Sequence, residues 1–349
     1  MAGDVTVGVD GSPESLAAAD WGADEAALRG ARLRLVHVRE WPATPEVPLT
    51  YTDVQEHHEE ELLRTAAGRA RSRHPGLAVA TRTPTGRAAA ALALEVTGPM
   101  GRDEAEEPDG AGGRTAASAP VQAGGPAEAE RADEAGGSAE AELSDEARRR
   151  DEAKGTELLV LGSRGLGGIL GFLIGSVGLS VVAAAERPVV LVRAPEPGGV
   201  DVRRTFDTYG EVVLGVDIFH PCEELLAFGF QEAERRACTL RVVHCWSLPA
   251  VYGYASVFDP DIGREVEREM AGTLGDLLVP WRQRYPSVRV AERTVNGSAG
   301  AELIHAAAGA DLVVVGRRRA RLPVGPHIGH VTHAVIHHCA APVAVVPHD

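Results

Sequence analysis

The residues best placed to do chemistry in this chain lie in the run Gly162-Ser-Arg-Gly165-Leu-Gly-Gly-Ile-Leu-Gly-Phe-Leu-Ile-Gly175-Ser176. It follows the apolar stretch Glu157-Leu-Leu-Val-Leu-Gly162, so a buried strand empties into a glycine-rich loop that ends at a Gly-Ser step able to open a helix. That arrangement binds phosphate. Glycines let the backbone approach an anion and take up positive φ, while the N–H groups at a helix start, aided by the helix dipole, face the negative charge. Ser176 is placed to cap the helix and to offer its hydroxyl to the same oxygens.

The elements around this loop occur twice. Val5-Thr-Val-Gly8-Val-Asp10 recurs as Val212-Val-Leu-Gly215-Val-Asp217, and Arg34-Leu-Val-His37 as Arg241-Val-Val-His244, both at an offset of 207. Gly86 corresponds to Gly297 at an offset of 211, whereas Gly162, Gly175 and Pro188 correspond to Gly316, Gly329 and Pro342 at 154. The first half therefore carries 57 extra residues between Gly86 and Gly162. They fall at about 98–154, a stretch without Phe, Tyr, Trp or Ile and with 15 acids against six arginines between Arg102 and Ala153. So little apolar surface cannot offset the entropy of ordering, and the segment reads as an acidic, disordered insert whose tail, Ala139 to Lys154, can form a solvated helix.

Each half reads as an α/β unit. Expected strands in the first are Val5–Val9, Arg32–Val38, Leu77–Arg82, Leu158–Leu161 and Val189–Val192. Helices are expected near Pro13–Leu28, Asp53–Arg73, Arg87–Val96 and Ser176–Glu186. The second half repeats the order with strands at Val212–Val216, Leu240–Val243, Val288–Arg293, Leu312–Val315 and Val343–Val346. Near-continuous Val and Leu runs suit strands covered on both faces, and their alternation with helices implies a parallel sheet with right-handed crossovers. The domains are then 1–194, interrupted by the insert, and 211–349, joined by a Pro- and Gly-rich linker at 195–210.

The spacing G-x2-G-x9-G-S, set in a repeated α/β unit, resembles the ATP-binding signature of the universal stress protein family in its tandem form. The resemblance covers nearly everything except the insert. It implies two flavodoxin-like, doubly wound domains of the adenine nucleotide alpha hydrolase-like kind, each a five-stranded parallel sheet of order 3-2-1-4-5. It also implies ATP, with Mg, across the carboxyl ends of the first and fourth strands, where ligands of open α/β sheets bind. Carried onto this sequence, Asp10 is similar to the residue that contacts the nucleoside, and Val38 to the one whose backbone meets adenine. Gly162, Gly165, Gly175 and Ser176 would hold ribose and phosphates. Relatives often have Ser or Thr where this chain has Gly178. Asp10 also reads, on its own residues, as a cap beside Gly11-Ser12.

In the second half Gly165 is matched by Arg319 and Ser176 by His330. A side chain at the former position crowds phosphates and resists positive φ, so this half is expected to keep the frame as a scaffold. The basic run Arg317-Arg-Arg319-Ala-Arg321 beside Thr332 leaves another anion as an alternative. His327-Ile-Gly-His330 spells a synthetase-like signature outside its structural context and reads as coincidence. His330, His333 and His337 read as a polar helix face rather than a metal site. Leu166–Ala185 is uncharged but broken by glycines and overlaid by the phosphate loop, so a membrane span is rejected. Four cysteines without a CxxC pair, no leader and a pI near 5.4 give an expected cytoplasmic protein with free thiols, not directed at nucleic acid.

No P-loop, catalytic triad or paired-carboxylate constellation accompanies the loop. The expected function is an ATP-binding stress-response protein with one nucleotide in the first domain, acting through conformation or an unidentified protein partner rather than as an enzyme beyond slow incidental hydrolysis. The alternatives are an enzyme or electron carrier using nucleotide or flavin, the latter disfavoured by aromatics at 4%, and a ligand-free adaptor. The halves are expected to pair through their last strands as an intramolecular pseudo-dimer, a homodimer of the whole chain being a further option. Deleting Gly101 to Arg150 should leave the thermal midpoint and ATP binding unchanged. A large drop in either, by thermal denaturation or calorimetry, would mean that the insert packs on the domain.

Overall fold

The computed structural model describes residues 3–40, 49–97, 155–163, 175–194, 209–247, 260–319 and 328–349. The acidic insert, linker residues 195–208 and the middle of the glycine loop, Gly165 included, lie outside the described residues. All described elements belong to one unit, Met1–Gly98 with Gly155–Asp349.

The first half runs β1 (Asp4–Gly8), α1 (Pro13–Arg29), β2 (Leu33–Val36), α2 (Leu49–Arg73), β3 (Val79–Arg82), α3 (Ala88–Val96), β4 (Thr156–Ser163), α4 (Ser176–Ala184) and β5 (Val189–Arg193). The second repeats it as β6 (Glu211–Val216), α5 (Glu223–Arg235), β7 (Thr239–Trp246), α6 (Pro260–Arg284), β8 (Arg289–Asn296), α7 (Ala299–Ala306), β9 (Leu312–Arg318), α8 (His330–His338) and β10 (Val343–His348). Local chemistry sets the boundaries of α1. Ser12 Oγ accepts from Ser15 N at 3.2 Å, Pro13 takes the first helical position, and Gly30 closes the helix at φ 61°.

One ten-stranded sheet results, in the order β3-β2-β1-β4-β5-β10-β9-β6-β7-β8. Within each half neighbouring strands are parallel, with Val5 opposite Leu33 and Leu158, and Val212 opposite Leu240 and Leu312. Side chains alternate between two apolar layers that both run through the two halves. Val5, Val7, Leu33, Leu158, Val212 and Leu214 pack on one face with α1, α2, α5 and α6. Leu159, Leu161, Leu191, Val313 and Val343 pack on the other with α3, α4, α7 and α8. Several strands outrun the sequence reading: β4 spans Thr156–Ser163, β7 and β8 pair as far as Trp246 and Asn296, and β9 and β10 pair as far as Arg318 and His348. Conversely, β2 stops at Val36, and its edge partner β3 stops at Arg82.

The halves join where β5 and β10 pair antiparallel, with Leu191 opposite Val343 and Val189 opposite Val345. Two arginines cross this seam to carbonyls at the far helix ends: Arg193 donates to Ile336 O at 2.9 Å, and the buried Arg317 donates to Ala185 O. Cations suit these C-terminal turns, whose carbonyls lack helical partners. Above the seam α1 and α5 share a buried ion quartet. Arg29 bonds Glu25 and Glu232, each at 2.5 Å, and Arg236 bonds Glu25 at 2.5 Å and also Glu232. These four side chains are 3% exposed or less. Burial opposes the charge on Arg29 and Arg236, but the two glutamates outweigh it and hold both guanidiniums above the ordinary arginine pKa. Both pairs sit at the repeat offset of 207.

Arg29→Met removes one cation and leaves buried carboxylates undercompensated. Urea denaturation should show a loss of about 3–5 kcal/mol, and a loss below about 1 kcal/mol would mean that the quartet is solvated in solution.

Candidate functional site

In the first half β1 lies between β2 and β4. The chain leaves β1 for β2 on one side and returns from β3 to β4 on the other, so a crevice opens beyond the carboxyl ends of β1 and β4. Asp10 stands exposed there. Its Oδ1 accepts from Ser12 N at 2.9 Å and from Ser12 Oγ at 2.5 Å, while Gly11 between them holds φ at 85°. The carboxylate thus shapes the turn into α1 as well as facing the crevice.

Half-buried Val38 follows His37, whose Nδ1 donates to Val9 O at 2.8 Å and so anchors the end of β2 to β1. Arg39 then bonds the buried Glu59 of α2, Nε to Oε2 at 2.8 Å, and Glu59 Oε1 lies 4.0 Å from His37 Nε2. Sequence reasoning did not single out Arg39 or Glu59, which are 20 residues apart and in no common motif.

Gly162 pairs with Val192 inside β4. A Cβ there would stand 2.5 Å from Glu14 C and 2.6 Å from Ser15 N, so this glycine is needed where the strand passes under the first turn of α1. The close approach is made by the chain's own backbone. Gly175 and Ser176 open α4, but Gly175 is the N-cap and Ser176 the first helical residue, which corrects the expected cap. Among the described residues no side chain caps this end and a Cβ at Gly175 would meet nothing within 4 Å, while Ser176 is exposed. Among those residues the first N–H groups of α4 have no side-chain partner, and a helix start of this kind fits an anion. Gly165 lies outside the described residues.

The model of the universal stress protein family matches residues 1–193 and 208–347. The chain belongs to this family. It is a stress-response protein of the tandem form. A universal stress protein of Mycobacterium tuberculosis (strain H37Rv) is 29% identical over 355 residues, covering 98% of this chain and 96% of that protein. One from Mycolicibacterium smegmatis is 32% identical over 200 residues, 56% of this chain and 63% of its own. The fold is similar to that of a universal stress protein from Archaeoglobus fulgidus, with TM-score 0.59, 15% identity and coverage of 99% of this chain and 98% of that one. A functionally unknown protein from Pseudomonas aeruginosa PAO1 gives TM-score 0.52 at 12% identity, over 99% and 92% of the two chains.

The second universal-stress-protein repeat places different groups in the same frame. A cavity of about 1160 Å³ lies at the carboxyl ends of β6, β7 and β9, reaching Gly316, Gly329 and His330. Arg319, in the place of Gly165, bonds Asp349 at 3.2 Å, and its backbone N donates to His348 O. Thr332, in the place of Gly178, donates Oγ1 to Gly316 O at 2.7 Å. A hydroxyl at that position ties helix to strand in this chain. Burial pushes the thiols of Cys222 and Cys245, which line the cavity, up to about 11, so both stay neutral near pH 7. The rings of His333 and His337 lie 4.3 Å apart and tilted by 36°, and among the described residues no group of three metal-ligating side chains converges. Among those residues no helix is long and apolar enough to cross a membrane.

The two central glycines should respond differently to alanine. Gly162→Ala must push backbone and should cost about 1–3 kcal/mol in thermal or urea denaturation. Gly175→Ala enters open space at φ −59° and should stay within about 1 kcal/mol of wild type. The reverse order would show that the β4–α1 contact is looser in solution.

Proposed function

We propose that this universal stress protein binds one adenine nucleotide, ATP with Mg, in its first repeat and acts by nucleotide-dependent conformation or partner contact rather than by turnover. The observation that carries this reading is the start of α4 at Gly175 and Ser176, which no side chain caps among the described residues, together with Asp10 exposed just beyond β1. Phosphates suit that helix start, since unpaired N–H groups and the dipole both favour negative charge. Ser176 would add a hydroxyl. Asp10 would contact the nucleoside, the backbone of Val38 the adenine, and Gly162 and Gly165 the ribose and phosphates. When bound, Mg would offset part of the phosphate charge.

What the chain's own residues do with occupancy follows from the length of α4. The helix begins in the crevice and ends, nine residues on, at the seam, where the Ala185 carbonyl accepts from Arg317 of the second half. A rigid helix of about 13 Å carries a small shift at one end to the other. Ligand at Ser176 is therefore felt by the contact between the halves.

Calorimetry of the full chain with Mg-ATP should give one site per chain, and Gly175→Asp, which sets a carboxylate at the helix start, should weaken it by about tenfold or more while leaving the thermal midpoint near wild type. Two equivalent sites, or no binding, would overturn the reading.

A further inference from the structure

The cavity of the second repeat joins an apolar interior to a basic mouth. Leu225, Val243, Trp246, Met270, Leu303 and Val315 line it, drawn from β7, β9 and the helices α5, α6 and α7. Two of them mark the difference from the first repeat. Trp246 at the end of β7 stands where that half has Arg39, at the offset of 207. Met270 of α6 stands where it has Glu59 of α2, since the two helices are each 25 residues long and begin 211 residues apart. An ion pair in one half is thus matched by an indole and a thioether in the other. Surface of that kind favours hydrocarbon over water.

Several polar groups beside this wall are committed to the protein itself. Thr332 donates Oγ1 to Gly316 O at 2.7 Å, and the Asp217 carboxylate accepts from Phe219 N and meets His220 Nδ1, each at 3.0 Å. β9 runs on through Arg318, paired with His348, and Arg319 N donates to His348 O, so the backbone equivalent to Gly165 is tied to β10. The mouth is basic. Gly316 to Gly329 holds four arginines and no acid. Arg319 is answered by Asp349 at 3.2 Å, and Arg317 is buried at the seam. Arg318 lines the cavity, is exposed and, among the described residues, makes no ion pair.

We propose that the second repeat binds a free acyl-chain carboxylate, with the hydrocarbon tail against the apolar wall and the carboxylate accepting from Arg318 at the mouth. A single negative charge matches the single guanidinium there that has no ion pair among the described residues, and a charge-assisted pair of this kind fixes the polar end. The wall is mainly aliphatic, and a flexible chain follows such a surface better than a rigid ring does. At about 1160 Å³ the cavity is at the upper end of small-molecule sites and holds such a chain. The site is independent of the nucleotide reading of the first repeat.

Octanoate, decanoate and dodecanoate, each below its micellar range, are the probes. Calorimetry of the full chain should give one site, with affinity rising about threefold to fourfold per added methylene and no displacement by excess Mg-ATP. Dodecyltrimethylammonium, which keeps the tail and reverses the charge, should bind about tenfold more weakly or less tightly still. Arg318→Ala should weaken dodecanoate about tenfold, and Arg318→Lys should recover most of that loss. Val266→Trp, at a half-buried position of α6 that lines the cavity, should abolish binding by filling it, with the thermal midpoint near wild type. No saturable binding, affinity independent of chain length, equal affinity for the cationic amphiphile, one-for-one displacement by Mg-ATP, or wild-type affinity in both Arg318→Ala and Val266→Trp would each overturn the assignment. Mg-ATP calorimetry on the same samples reports the first repeat separately.

Discussion

Backbone hydrogen bonding between β5 and β10 is the interaction on which the rest of the molecule depends. Each strand would otherwise be the Val-rich edge of a five-stranded sheet, with a row of unpaired N–H and C=O groups open to any other strand. Pairing them makes one sheet of ten strands and lets both apolar layers continue across the join. The charged groups beside the seam act on register. Only one approach of α1 to α5 sets Arg29 on Glu232 and Arg236 on Glu25 together, and a misplaced approach strands four buried charges. Arg193 and Arg317 add a second check, since each reaches one carbonyl near the end of one helix.

Much of this was legible in the sequence because burial on both faces writes itself as unbroken Val and Leu runs. The runs around Val5, Leu33, Leu159 and Val190 all became strands, and their ends were less legible because a strand stops where its neighbour stops. The site was less legible than the fold. A glycine signals close approach without saying what approaches: beside Gly162 stand Glu14 C and Ser15 N of the chain's own backbone, which no spacing announces. The Gly175-Ser176 step placed the helix start correctly, yet which of the two residues is the cap depends on φ and ψ that no spacing encodes.

Other features were present in the sequence but had no pattern to announce them. Glu25 and Arg29 look like an ordinary solvated i,i+4 pair, and only their recurrence as Glu232 and Arg236 suggests a shared location. The second repeat read as an empty scaffold because its phosphate glycine had become Arg319. Trp246 and Met270, which line its cavity, lie on different elements and come together there only once β7 and α6 are packed.

The antiparallel seam has a directional consequence. Because strands run parallel within each half and reverse between β5 and β10, the carboxyl ends of the two sets of strands point in opposite directions. The molecule is therefore bipolar, with the first crevice and the second cavity opening at opposite rims of the sheet. No flat surface can touch both mouths at once, so a change at one rim can reach the other only through the helices that meet at the seam.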